Sequence, residues 1–148
     1  DLNHLCRHMV DAIRPLCKEG VRAFFESELP DDIAVATNYE AIKALLQHLL
    51  DNAVKFTDQG VITVACSEYG DMVRISVTDT GRGIPLEQRE HVFDTFRELG
   101  DNVKLRGLGL AICKAIVKLL GGEIWLDTDY HEGTRFVFSI PKGGEVTK

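Results

Sequence analysis

The chain has 148 residues, with 17 Lys and Arg against 23 Asp and Glu, a formal net charge of −6. That length suits one domain that can bury a sufficient core without metals or disulfides. The acidic balance argues against broad nucleic-acid binding, which needs a basic face, and no apolar run approaches membrane-spanning length or a secretion signal.

The chain opens inside a helical pattern, as a fragment of a longer protein would. Leu5, Met9, Ala12, Ile13 and Leu16 share one face of a helix predicted over 2–18, which Pro15 ends or kinks near its last turn. Val21 to Leu29 reads as a strand with Val21, Ala23, Phe25 and Leu29 on one side. Pro30-Asp31-Asp32 makes a turn and Ile33 to Thr37 a short strand. The strongest helix covers 39–57. Asn38 is its N-cap, and Ile42, Leu45, Leu46, Leu49, Leu50, Ala53 and Val54 form a wide apolar stripe. Strands over 61–68 and 72–79 follow. In the second, Val73, Ile75 and Val77 alternate with Arg74, Ser76 and Thr78, the pattern of a sheet with one wet face.

Pro85 starts a short helix ending near Phe93, and 97–106 is a polar stretch with a central glycine. Gly107 opens a helix to Leu120 that Gly121-Gly122 closes. The last strands, 123–128 and 134–140, form a hairpin around His131-Glu132-Gly133, and 142–148 reads as a disordered tail. Without regular βαβ alternation the fold class is α+β, a two-layer sandwich of one sheet with helices on one face. The four cysteines, Cys6, Cys17, Cys66 and Cys113, form no CxxC. They read as reduced thiols of a cytoplasmic domain, three of them in apolar patterns.

Three segments carry chemistry. On the long helix, His48, Asn52 and Lys55 lie on one side by spacings of four and three. An amide on an apolar helix is unfavourable unless it is used. Its oxygen suits a divalent cation, with His48 reached more readily through water, and Lys55 suits a phosphate. A solvated helix edge is the plain alternative. Asp79 ends a strand before Gly81 and Gly83, which permit close backbone approach to a ligand. A carboxylate there can accept from an exocyclic amine, which adenine has; an Asx-type turn is the alternative. Gly107 and Gly109 begin a helix whose terminal N–H groups suit phosphate. Lys104 and Arg106, in the polar segment before it, are the candidate phosphate charges of a lid. His4 and His8 sit at i and i+4 but lack the glutamate of the zinc-protease pattern.

These residues resemble the catalytic, ATP-binding domain of a bacterial sensor histidine kinase, simple or hybrid, of the group that includes gyrase, heat-shock chaperones and mismatch-repair ATPases. The resemblance runs from about residue 20 to 141, through LLQHLLDNAVKFT, VTDTGRGI, VFDTFREL, GLGLAI and EGTRFVFSIP. It implies a mixed five-stranded sheet backed by three helices, with residues 1–19 as a linker helix after a dimerisation and phosphoacceptor region. It implies ATP and Mg2+ as cofactors, with Asn52 on the metal and His48 as the candidate second contact. Lys55 reaches the phosphates, Phe56 lines the adenine or ribose side, and Asp79 accepts from the adenine amine. Gly81, Gly83 and Ile84 shape the pocket, Gly107, Leu108 and Gly109 hold the phosphates, and Gly133 and Thr134 stand beside the adenine.

His48 replaces a more usual asparagine, Leu105-Arg106 stand where a first glycine is usual, and the lid is short. No phosphoacceptor segment of the HE-x-R-T-P kind occurs, so this stretch is not expected to phosphorylate itself. The implied function is transfer of the ATP γ-phosphoryl to a histidine on a separate dimerisation domain. The resemblance further implies a response-regulator receiver downstream, and it allows a membrane-anchored parent protein whose membrane this domain does not touch. A nucleotide-binding module with little or no transfer activity is the first alternative, a self-sufficient ATPase the second; His48 as a general base ranks below an orienting or packing role.

Overall fold

The structure, a computed structural model, describes residues 2–30, 38–81 and 107–142. In chain order the elements are α1 (Leu2–Ile13), a 3-10 turn (Arg14–Leu16), β1 (Val21–Ser27), α2 (Tyr39–Phe56), β2 (Gly60–Tyr69), β3 (Met72–Asp79), α3 (Gly107–Leu119), β4 (Glu123–Leu126) and β5 (Thr134–Pro141). The sheet order is β1-β2-β3-β5-β4. β1 and β2 are parallel and the other pairs antiparallel, so this is a mixed five-stranded sheet in an α+β fold. The expected strand at 33–37, the helix from Pro85, the polar lid segment and the tail beyond Lys142 lie outside the described residues; Lys142, expected in the tail, instead donates its N–H to Asp71 O at 2.9 Å.

Local chemistry explains where the elements stop. The predicted first helix ends at Ile13 rather than 18. Pro15 brings no N–H, and the chain tightens into the 3-10 turn with Cys17 N donating to Arg14 O at 3.2 Å. β1 stops at Ser27 because the Ser27 hydroxyl takes the Leu29 N–H at 3.0 Å and draws the chain off the ladder. β4 is shorter than expected because Asp127 turns the chain, its carboxylate accepting from Asp129 N at 3.0 Å. α2 begins as expected: the Asn38 side chain accepts from Glu40 N at 2.8 Å and Ala41 N at 3.2 Å.

The three described α-helices cover one face of the sheet. From α1, Leu5, Cys6, Met9, Val10 and Ile13 are buried in the same core as Leu45, Leu46, Leu49 and Leu50 of α2. Ile62, Val64, Ile75, Val77, Phe136, Phe138 and Ile140 of the sheet complete it. Each such side chain contributes about 1.5–3 kcal/mol of burial. Asn3, a buried amide that the sequence pattern does not flag, ties α1 to the sheet edge: it donates to Leu29 O at 3.0 Å and accepts from Ser27 Oγ at 2.6 Å. The opposite sheet face is wet, as the β3 alternation predicts. There the Arg74 guanidinium lies 3.6 Å from the Tyr69 ring centre. No described helix is long and apolar enough to cross a membrane.

The cysteines are thiols. Cys6 and Cys66 touch across the core with their sulfurs 3.7 Å apart. Their mutual hydrogen bond, then burial, push the Cys6 thiol up, and burial pushes Cys113 up to about 12 from an ordinary 9.0. Above pH 9 the unfolded chain therefore loses thiol protons that the folded chain keeps, and stability falls as pH rises. It should be undiminished below that pH and decline by on the order of 1 kcal/mol per pH unit per thiol above it. Urea unfolding at about pH 8 and about pH 10.5 checks this. Asn38→Ala should cost about 1 kcal/mol in the same assay at neutral pH.

Candidate functional site

The alternation of β3 sends Val73, Ile75, Val77 and also Asp79 to the helix-covered face. An aspartate thus closes an apolar series, and it is 3% exposed. A carboxylate in that position must be hydrogen-bonded to be tolerated. One donor is its own turn: Gly81 N reaches Asp79 Oδ1 at 2.9 Å. In the ladders Asp79 stands between Ile62 of β2 and Thr134 of β5, and Thr134 is buried as well. The Tyr130 hydroxyl donates to the Asp79 carbonyl at 3.2 Å. Burial, first among its causes, pushes the Tyr130 ionisation upward.

Two glycines let three remote segments meet at backbone contact. A Cβ on Gly81 would sit 2.3 Å from the Phe56 carbonyl oxygen, at the end of α2, and 2.9 Å from Thr57 Oγ1. A Cβ on Gly133 would sit 2.0 Å from the Asp79 carbonyl oxygen and 2.7 Å from Thr80 Cα. No side chain fits at either place. Thr80 pins the turn to β2, accepting from Val61 N at 3.0 Å through its hydroxyl and donating to Val61 O at 3.1 Å through its backbone.

The structure therefore gathers Phe56, Asp79, Gly81, Gly133 and Thr134 in one place. His48 and Asn52 are half-buried along the polar edge of α2, about two turns and one turn before its end, and Lys55 is exposed. The Lys55 ammonium lies 5.5 Å from the Phe56 ring centre. Gly107, Leu108 and Gly109 form the first turn of α3, which packs beside α2 with Cys113 Sγ 4.0 Å from the Leu45 carbonyl. Gly83, Ile84, Lys104 and Arg106 lie outside the described residues. Among the described residues, no group of three or more His, Cys, Asp or Glu could hold a metal ion. Thr57, Thr80 and Tyr130 were not legible as site residues, because each is an ordinary polar residue at a loop or element end. Only the DTG spacing around Thr80 carries a signal.

Residues 37–144 match the family described as histidine kinase-, DNA gyrase B-, and HSP90-like ATPase. The chain belongs to this family. It is 36% identical over 146 residues to the adaptive-response sensory kinase SasA of Thermosynechococcus vestitus, a match covering 95% of the chain and 38% of SasA. The chain therefore spans well under half the length of this curated relative. The nucleotide-free catalytic domain of histidine kinase ThkA has the same fold, with TM-score 0.78 and 31% identity over 95% of this chain and 92% of that one. Full-length ShkA in complex with AMPPNP matches at TM-score 0.80 and 27% identity, over 97% of this chain and 30% of that one. The expected architecture, a mixed five-stranded sheet with helices on one face, is that of the histidine-kinase catalytic domain, the ATPase domain of two-component sensor kinases.

Because Gly81 and Gly133 stand in backbone contact, Gly81→Ala and Gly133→Ala should each destabilise the fold by about 1–3 kcal/mol. Thermal unfolding of the two variants against the parent chain measures this.

Proposed function

We propose that this domain binds Mg-ATP at the Asp79 turn and donates the γ-phosphoryl to a histidine on a separate dimerisation domain. The observation that carries the reading is Asp79: a buried carboxylate on the helix-covered face, held at a glycine turn where backbone can approach a planar base. In this reading Asp79 accepts from the adenine amine, with Phe56 and Thr134 flanking the base. Gly83 and Ile84 extend the pocket. Asn52 holds the magnesium, with His48 reached through water, and the ion supplies charge neutralisation at the phosphates when bound. Lys55, the first turn of α3 at Gly107, Leu108 and Gly109, and Lys104 and Arg106 hold the phosphates. The chain's own part is positioning and charge neutralisation, which phosphoryl transfer mainly requires. A response-regulator receiver would take the phosphoryl from the histidine.

The second reading is a nucleotide-binding module without transfer. It is favoured by His48 in place of an asparagine and by Leu105-Arg106 in place of a first glycine. Labelled ATP supplied with a phosphoacceptor domain separates the two: label on histidine is expected, and tight ATP binding without transfer would favour the module. Steady phosphate release by the domain alone would point instead to a self-sufficient ATPase. Asp79→Asn should weaken ATP binding by more than the ~1 kcal/mol of a neutral hydrogen bond. Asn52→Ala should leave ATP affinity nearly insensitive to magnesium. Isothermal titration with and without the ion measures both.

A further inference from the structure

Cys6 of α1 and Cys66 of β2 are 0% and 2% exposed, and their sulfurs lie 3.7 Å apart. That is van der Waals contact. A disulfide needs the sulfurs about 1.7 Å closer, which rotation of the two short side chains can supply. The pair is held in register from both ends of α1. Before Cys6, the Asn3 amide donates to Leu29 O at 3.0 Å and accepts from Ser27 Oγ at 2.6 Å. Past the other end of the helix, Arg14 donates to the Ala23 carbonyl from Nε at 3.2 Å and from Nη2 at 3.1 Å. Both anchors lie on the β1 segment, and between them Cys6 is presented to Cys66. Two thiols in contact differ from any other small buried pair in one respect: they can give up two electrons and become one bond.

We propose that Cys6 and Cys66 form a redox-modification site, which hydrogen peroxide converts to a disulfide that fastens α1 to the sheet. While α1 is seated, the oxidant has no access, and the Cys6 proton is held by the bond from Cys66 and by burial. The outer face of α1, with His4, Arg7, His8 and Asp11, is exposed. Local opening of one surface helix costs less than global unfolding, and it bares both thiols. The Cys6 thiolate then attacks a peroxide oxygen. The O–O bond breaks, hydroxide leaves and takes a proton to become water, and Cys6 carries a sulfenic acid. When α1 reseats, the Cys66 sulfur attacks the Cys6 sulfur. The S–O bond breaks, and the oxygen leaves as water with the Cys66 proton. In sum, two thiols and one peroxide become one disulfide and two waters, and two electrons pass from sulfur to peroxide. The cysteines are 60 positions apart, so the bond removes much of the freedom of the unfolded chain. The family match begins at residue 37, so the bond ties a helix that precedes the matched region to a strand inside it.

The test compares the unaltered chain, a Cys17→Ala, Cys113→Ala variant that keeps only the proposed pair, and Cys66→Ala. Each is reduced, freed of reductant and exposed to hydrogen peroxide at about pH 8, where an opened thiol is partly ionised. In the first two, peptide mapping without reductant should find Cys6 joined to Cys66 within one chain, and dithiothreitol should restore both thiols. The melting temperature of the oxidised chain should rise by roughly 5–10 °C and fall back on reduction. Cys66→Ala should show no rise. Thiols that stay intact while the urea-unfolded chain oxidises overturn the proposal. So does a bond to Cys17, Cys113 or a second chain in place of the pair, or a Cys6 that ends as sulfinic acid with no bond formed. A disulfide that leaves the melting temperature unchanged or lower overturns it too, as does a rise in Cys66→Ala. If either variant fails to fold, mapping and melting of the unaltered chain decide.

Discussion

The structure depends on one close approach. The turn after β3 presses its backbone against the carbonyl end of α2 on one side and the start of β5 on the other. Three stretches separated by dozens of residues meet there with no side chain between them. That contact sets the direction of Asp79 and the end of the long helix. Two glycines make it sterically possible, and the Thr80 bonds to β2 hold it in register.

The two faces of the sheet divide the work. The helix-covered face is almost wholly apolar, and its burial supplies the stability. Asp79, Thr134 and Thr57 are polar exceptions at one end of that face, where the strands finish and α2 runs out. Polar groups are least costly there, because loop backbone can satisfy them. The open face has a different character. Arg135 bonds Thr78 and pairs with Asp127, and Arg74 stacks on Tyr69 and faces Trp125, so long cationic side chains and the rings beneath them cover this side of the sheet.

Much of this was legible before any coordinates. The Asn38 cap, the apolar stripe of α2 and the alternation of β3 were readable because each is a local pattern within a few residues. The motif segments were equally plain as short strings. Element ends were harder. Pro15 marked the end of α1 only approximately, and the stops at Ser27 and Asp127 came from side chains capturing nearby backbone N–H groups, an outcome that composition does not rank. Asn3, Thr57 and Tyr130 escaped notice because a buried amide, hydroxyl or phenol looks the same in a string as an exposed one.

The sequence by itself determined the family and the order of the described elements, because motif spacing and hydrophobic period are properties of the linear chain. Only the tertiary structure decided that Asp79 faces the helices, that Gly133 rather than a larger residue must stand over its carbonyl, and that the Thr57 hydroxyl is buried without a partner among the described residues. These facts concern which distant segments touch, and that is settled when the apolar faces of the helices and the sheet are buried together, the step in which residues 57, 81 and 133 first become neighbours.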